Sequence, residues 1–379
     1  MQGYELFCVT LHKFIEFMRI TVKIGSNVLT RNDGSLDVTR MSALVDQVTN
    51  LHQQGIEVLM VSSGAMASGR SELKNMVSGK MDSVDQRQLF SAVGQAKLIN
   101  RYYEMFRDHG IPVGQVLTMK ENFGTRRHYL NQRNCISVML DNGVIPIINE
   151  NDTISVTELM FTDNDELSGL IATMMDCDAL VILSNIDGVF TGNPSDPDSS
   201  LIKTVEPGTD ISEYISTVKS GFGRGGMQTK SNIARKVAME GIKVIIANGK
   251  RENILLDLQP IFGDSNQSSV PCTIFLPSAS DVSSVKKWIA HSGGFAKGAI
   301  YLNKGASEKI QGEQAASILP VGITRAEGQF EPHDIITIFD DKGHKIGVGR
   351  TDYSLEEVQK AIGKRDMKPV VHYDFLYLE

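Results

Sequence analysis

Apolar runs of strand length alternate with helical patterns through most of the first 260 residues, and no other feature constrains the fold as much. The runs are residues 19–23, 57–61, 113–117, 144–148, 179–183 and 243–246. Nearly all are continuous Val/Ile/Leu stretches rather than alternating ones, as expected of strands covered on both faces. Helical periodicity marks residues 39–54, 85–109, 127–142 and 164–175 between them. That order predicts an α/β sandwich around a largely parallel sheet.

In such sheets, ligands bind beyond the carboxyl ends of the strands. Four of the runs end in small or polar sequence: Ile24-Gly25-Ser26-Asn27, Ser62-Ser63-Gly64-Ala65, Asn149-Glu150-Asn151-Asp152 and Ser184-Asn185-Ile186-Asp187-Gly188. Each alone reads as a turn; four at one end of one sheet predict a site. A further segment, GFGRGGMQTK at 221–230, places four glycines ahead of Thr229 and Lys230. Glycine lets backbone amides approach an anion closely, and a helix expected from Ser231 to Met239 puts Lys230 near a positive dipole end. The pattern is not a Walker A loop, because Gln228 and Thr229 precede the lysine where that motif requires glycine. Read alone, it is equally a surface loop.

A length of 379 residues suggests two domains, and 41% hydrophobic with 22% charged residues is ordinary for a globular chain. The formal charge of −7 argues against a polyanion-coating surface. Cys8, Cys135, Cys177 and Cys272 are scattered without metal-ligand spacing, which fits a reducing cytoplasm and no protein metal site. No run reaches the roughly 18 apolar residues of a membrane span. Residues 1–18 read as an extension, or as a start upstream of the true one at Met18, rather than as a signal peptide.

Lys23 ends the first strand run just before Gly25, so its ammonium can reach over a bound phosphate. With Lys230 on a second anion loop, it suits phosphoryl transfer, where catalysis is mostly positioning and electrostatics. Asp163-Asn164-Asp165 opens a helix and exceeds what an N-cap requires; a carboxylate there can hold two lysines.

The blocks VKIGSNVLT, VSSGAMASGR, SAVGQAKLI, INENDT, DNDELS, LVILSNIDGVFT and GRGGMQTK, in this order, resemble the amino acid kinase family. The resemblance is specifically to its members that phosphorylate the side-chain carboxylate of L-glutamate at the start of proline biosynthesis. It implies a three-layer sandwich with ATP as phosphoryl donor, Mg2+ held mainly through ATP, and γ-glutamyl phosphate as product. It also implies that Lys23 and Lys230 stabilise the transferring group and that Asp165 orients them. Ser63, Gly64, Ala65, Asp152 and Asn164 would bind glutamate. Lys23, Gly25, Ser184, Asn185, Arg224, Gly225, Gly226, Met227, Gln228, Thr229 and Lys230 would hold the nucleotide. Further expectations are a dimer or tetramer and a glutamyl-phosphate reductase as functional partner. The chain departs from the family at Ser184-Asn185, usually Thr-Asp, and at Gly223 to Gly226, usually Gly-Thr-Gly-Gly.

Composition shifts near Gly263, where a Ser/Asp/Pro-rich stretch surrounds one apolar run, 272–276, expected to be an edge strand. Short strands follow at 299–302, 335–339 and 345–349. NKGAS, SILPVGI and GQFEPHD there resemble a PUA domain, with His333-Asp334 where Gly-Asp is usual. From Gly294 onward, 11 Lys and Arg face 13 Asp and Glu, so no basic footprint for nucleic acid is present. The expected organisation is an extension at 1–18, a kinase domain at 19–262, a connector at 263–293 and a PUA domain at 294–379.

Overall fold

In the computed structural model, residues 17–76, 81–154, 161, 163–211, 214, 226–279, 286, 288–289, 293–312, 316–365 and 367–378 are described. The expected N-terminal extension therefore lies almost wholly outside the described residues. The chain forms two compact units, residues 1–118 with 136–279, and residues 119–135 with 280–379.

All six apolar runs are strands of the first unit. Its sheet contains β1 (Arg19–Ile24), β2 (Glu57–Ser62), β3 (Val113–Thr118), β4 (Ile145–Glu150), β5 (Ala179–Ser184), β6 (Thr204–Val205), β7 (Lys243–Asn248) and β8 (Cys272–Phe275). The spatial order is β3-β4-β2-β1-β5-β7-β8-β6, with every pairing parallel except β7 with β8. The run at 272–276, expected at an edge, instead lies between β7 and β6. Its burial on both faces follows, since all four residues of β8 are buried.

The helices of this unit are α1 (Ser26–Leu29), α2 (Val38–Gln53), α3 (Ala65–Glu72), α4 (Ser83–Asp108), α5 (Arg126–Asp141, shared with the second unit), α6 (Asn164–Met174), α7 (Met227–Met239) and α8 (Ile254–Leu258). Alternation along β1 assigns the layers. Ile20, Val22 and Ile24 enter one core with Leu44 and Val48 of α2, Leu98 and Tyr102 of α4, and Leu255 of α8. Thr21 and Lys23 point the other way, Thr21 to Cys177 just beyond α6 and Lys23 to Asp165 in its first turn. Helix α7 starts at Met227, four residues earlier than its apolar periodicity indicates, because extended Gly226 serves as N-cap and the MQTK segment continues straight into the helix.

Helices α3 and α4 cross with backbones almost touching. A Cβ on Gly69 would overlap the Phe90 carbonyl, and one on Gly94 would overlap the Ala65 carbonyl. Glycine is required here for close approach, not for its dihedral range.

The second unit carries a mixed sheet of β9 (Gly298–Leu302), β10 (Ile323–Gly328), β11 (Ile335–Phe339), β12 (Lys345–Thr351) and β13 (Val371–Leu378), ordered β10-β9-β11-β12-β13. Helices α9 (Lys304–Ile310) and α10 (Leu355–Ala361) supply Ile310 and Val358 to its core. His333 sits at φ +77°, in the left-handed region that favours glycine, just where related domains carry that residue.

Two outcomes follow from these backbone constraints. Gly94→Ala is expected to lower stability by about 1–3 kcal/mol through the clash with Ala65, despite its higher helix propensity. Gly192→Ala, whose Cβ would make ordinary contact with Ser199, Oγ at 3.6 Å and Cβ at 3.8 Å, should stay near neutral in the same urea titration. His333→Gly should raise the stability of the second unit by up to about 1 kcal/mol, relief of left-handed strain exceeding the added chain entropy. A lower thermal midpoint for His333→Gly would contradict the strain.

Candidate active site

The carboxyl ends of β1, β2 and β5 lie side by side, with Lys23 in register between Val61 and Ile182. Beneath them, Lys23 Nζ lies 2.5 Å from Asp165 Oδ1, and Lys230 Nζ lies 3.0 Å from Asp165 Oδ2. One carboxylate, its side chain 1% exposed, thus bridges two ammoniums from β1 and α7. Burial alone would raise the Asp165 pKa, but the two lysine charges and their hydrogen bonds outweigh it and hold the carboxyl below its usual range. The three groups sum to one positive charge in a buried place, which suits a polyanionic ligand. Lys230 also stands in the opening turn of α7, where a helix dipole disfavours a cation, and Asp165 offsets that cost.

Asp163 is the N-cap of α6; its Oδ1 accepts from the backbone N–H of Asp165 at 2.9 Å and of Glu166 at 3.1 Å. Its Oδ2 is buried and has no hydrogen-bond partner among the described residues. Burial first, then the neighbouring Asp165 charge, pushes its pKa up to about 6, against the pull of Lys23 and Lys230.

Three helix starts surround these charges. Gly25 caps α1, and its N–H donates to Leu183 O at 3.2 Å, tying the end of β1 to β5. A Cβ there would lie 3.6 Å from Lys23 Nζ, so glycine keeps the approach to that ammonium open. Gly64, at φ +106°, caps α3, and Ala65 is the first residue of that helix. Gly226 caps α7, whose opening turn holds Met227, Gln228 and Thr229 beside Lys230. Ser184 is buried at the end of β5, its carbonyl accepting from Gly249 N–H at 2.8 Å, and Asn185 is exposed in the turn beyond. Arg224 and Gly225, expected on the nucleotide side, lie outside the described residues.

Asn164 links residues of the expected amino acid side. Its Nδ2 lies 2.9 Å from Ser63 Oγ and 2.9 Å from Asn149 Oδ1. Asn149 Nδ2 in turn donates to Gln95 Oε1 at 2.8 Å. Asp152 lies in the turn after β4, its carboxylate 3.9 Å from Arg87 Nε of α4. Asn149 and Gln95 were not singled out by sequence reasoning. Both occur in blocks that carry the family resemblance, INENDT and SAVGQAKLI, yet an amide in either reads as an ordinary polar residue until its partner is seen.

The Amino acid kinase family profile matches residues 18–248 and the PUA domain profile matches residues 298–373. The chain belongs to the amino acid kinase family. It is 66% identical over 366 residues to the glutamate 5-kinase of Bacteroides thetaiotaomicron, covering 96% of this chain and 99% of that one. The glutamate 5-kinase of Chlorobaculum tepidum is 44% identical, over 97% and 99% of the two chains. Among solved structures, the UMP kinase from Ureaplasma parvum covers 69% of this chain and 100% of its own, with 15% identity and a TM-score of 0.46. Among the described residues no helix is long and apolar enough to cross a membrane, and no group of three or more His, Cys, Asp or Glu is placed to hold a metal.

Asp163 generates a pH prediction. Its folded pKa, about 6, exceeds the ordinary 3.8, so its contribution to stability is fully present below that ordinary value and is lost as pH rises through about 6. Asp163→Asn keeps a capping oxygen and removes the titration. The variant should therefore lose less stability than the parent between about pH 4 and about pH 6 in urea unfolding. Parallel pH profiles for the two proteins would refute the assignment.

Proposed function

We propose that this chain transfers the γ-phosphate of ATP to the γ-carboxylate of L-glutamate, giving γ-glutamyl phosphate for proline biosynthesis. The observation that carries the reading is the Lys23–Asp165–Lys230 bridge beside the Ser63–Asn164 pair. A cationic centre suited to phosphate and a polar pair suited to an amino acid thus lie near the ends of the neighbouring strands β1 and β2, which supports this reading.

The chemistry asks little of the protein beyond placement. A γ-carboxylate oxygen of glutamate attacks the γ-phosphorus, the bond to the β,γ-bridging oxygen breaks, and ADP leaves with that electron pair. The attacking carboxylate is already ionised, so no general base is needed. Lys23 and Lys230 are positioned to offset the negative charge shared by the attacking oxygen, the phosphoryl group and the departing bridge oxygen. Asp165 holds both ammoniums in place before the substrates arrive. The N-terminal amides of α1 and α7, freed of side chains at Gly25 and Gly226, face the triphosphate in this reading. Ser63, Gly64, Ala65, Asp152 and Asn164 receive glutamate.

Magnesium enters with the nucleotide, as MgATP. The Asp165 carboxylate that bridges the lysines is already engaged by both, which fits an ion coordinated mainly by phosphate oxygens. A reducing, cytoplasmic setting belongs to the proposal, and the described cysteines, Cys135, Cys177 and Cys272, are free thiols in keeping with it. Because an acyl phosphate is readily attacked by water, hand-over to a glutamyl-phosphate reductase belongs to the proposal, as does assembly into dimers or tetramers.

The test is glutamate-dependent ATP consumption with hydroxylamine trapping of the acyl phosphate as hydroxamate. Lys23→Ala and Lys230→Ala are each expected to lower kcat by at least about 100-fold while circular dichroism stays native. Near-normal turnover in either variant would remove that lysine from the mechanism. Hydroxamate with another small carboxylate but not with glutamate would overturn the substrate.

A further inference from the structure

Hydrogen-bond polarity at the amino acid end of the site can be assigned from a single backbone donor. The N–H of Glu150 lies 2.9 Å from a side-chain atom of Asn149 and can only donate, so that atom is the amide oxygen, Oδ1. The other end of Asn149 must then be Nδ2, and its partner at 2.8 Å on Gln95 must be an acceptor, Oε1. The Asn164 atom 2.9 Å from Asn149 Oδ1 must be Nδ2, and the same nitrogen reaches Ser63 Oγ at 2.9 Å. Every amide in the chain Gln95–Asn149–Asn164 therefore has one orientation. The two groups at its end have fixed complementary polarity: Asn164 Oδ1 is an open acceptor, and the Ser63 hydroxyl, which accepts from Asn164, keeps its own proton to donate.

We propose that Gln95 is a positioning residue for the amino acid substrate, locking the Asn149 and Asn164 amides so that Asn164 presents an acceptor and Ser63 a donor to the ligand. This rests on the proposed glutamate site. An acceptor suits an α-ammonium, whereas a hydroxyl donor beside the N-terminus of α3 suits a carboxylate. Reversing the amides would offer N–H to the ammonium, which no donor-only group can use.

The geometry of α4 explains how a residue outside the pocket can act this way. Gln95 is 9% exposed and follows Gly94, whose missing Cβ lets α4 approach Ala65. Two turns further on, Tyr102 of the same helix is completely buried, with its hydroxyl 2.9 Å from Ser62 Oγ, next to Ser63. One face of α4 thus carries the close approach and two hydrogen bonds that fix the loop after β2 and the end of β4. Burial makes the loss of the Gln95 acceptor costly, because Asn149 Nδ2 would be left without its partner.

The experiment compares Gln95→Met, similar in volume without the amide acceptor, with Gln95→Glu, which retains acceptor oxygens. Hydroxamate formation is measured with glutamate and with glutarate, which lacks the α-ammonium. Gln95→Met should raise KM for glutamate about tenfold or more and narrow the preference for glutamate over glutarate, with kcat and KM for ATP within about twofold. Gln95→Glu should keep both parameters within about twofold of the parent. Gln95→Ala takes the place of the methionine variant if that one fails to fold. An unchanged glutamate KM on loss of the acceptor, or equal losses in the acceptor-free and glutamate variants, would overturn the role of Gln95. Absence of glutamate-dependent product in the parent enzyme would instead overturn the underlying glutamate reading, and the inference with it.

Discussion

The bridge from Asp165 to two lysines is the constraint on which the first unit depends. Three charges removed from water depend on the shared carboxylate, since losing Asp165 would leave two neighbouring ammoniums uncompensated at a cost of about 3–5 kcal/mol. Strand β1, helix α6 and helix α7 each contribute one member, so the sheet register and two helix starts must be correct at once. Parity along β1 matters as much. A one-residue slip would turn Lys23 into the apolar core shared by Ile20, Val22 and Ile24 and lift those three toward α6. The arrangement of these three charges and the correct fold are in this sense one requirement.

The amino acid side uses a different device, neutral amides and hydroxyls whose directions are set by backbone groups. Helix α4 is its foundation. Gly69 and Gly94 bring α3 and α4 together until only backbone fits between them, and Gln95 and Tyr102 then reach the ends of β4 and β2. The side chains of α4 therefore fix groups at the ends of β4 and β2, while a methyl group added at Gly94 would disturb the same place through packing alone.

The second unit is organised by cross-strand pairs instead. Tyr301 and Phe339 are register partners on β9 and β11 and stack at 4.8 Å with 11° between their planes. Arg325 of β10, paired with Tyr301, lays its guanidinium 3.8 Å from that ring. Aromatic stacking and cation–π contact join three neighbouring strands on one surface. The segment carries a slight acidic balance and holds His333 in the left-handed region.

Much of the first unit was legible because parallel strands covered on both faces must be continuously apolar, so β1, β2, β4, β5 and β7 announce themselves in the sequence, whereas β3, at the sheet edge, is only partly buried. The strand ends were legible too, since small and polar residues after four of the runs predict a ligand site beyond the sheet. Lys23, Asp165 and Lys230 could be named from their motifs as candidates for one cluster. What the sequence by itself could not determine was contact between residues distant along the chain: that Asp165 gives one oxygen to each lysine, that β8 sits inside the sheet, and that Gln95 sets the direction of an amide on β4. Local patterning encodes periodicity and turn chemistry, which are properties of neighbours in sequence. Hydrogen-bond direction, close helix crossing and the sharing of one buried carboxylate are properties of neighbours in space, and only the folded chain creates them.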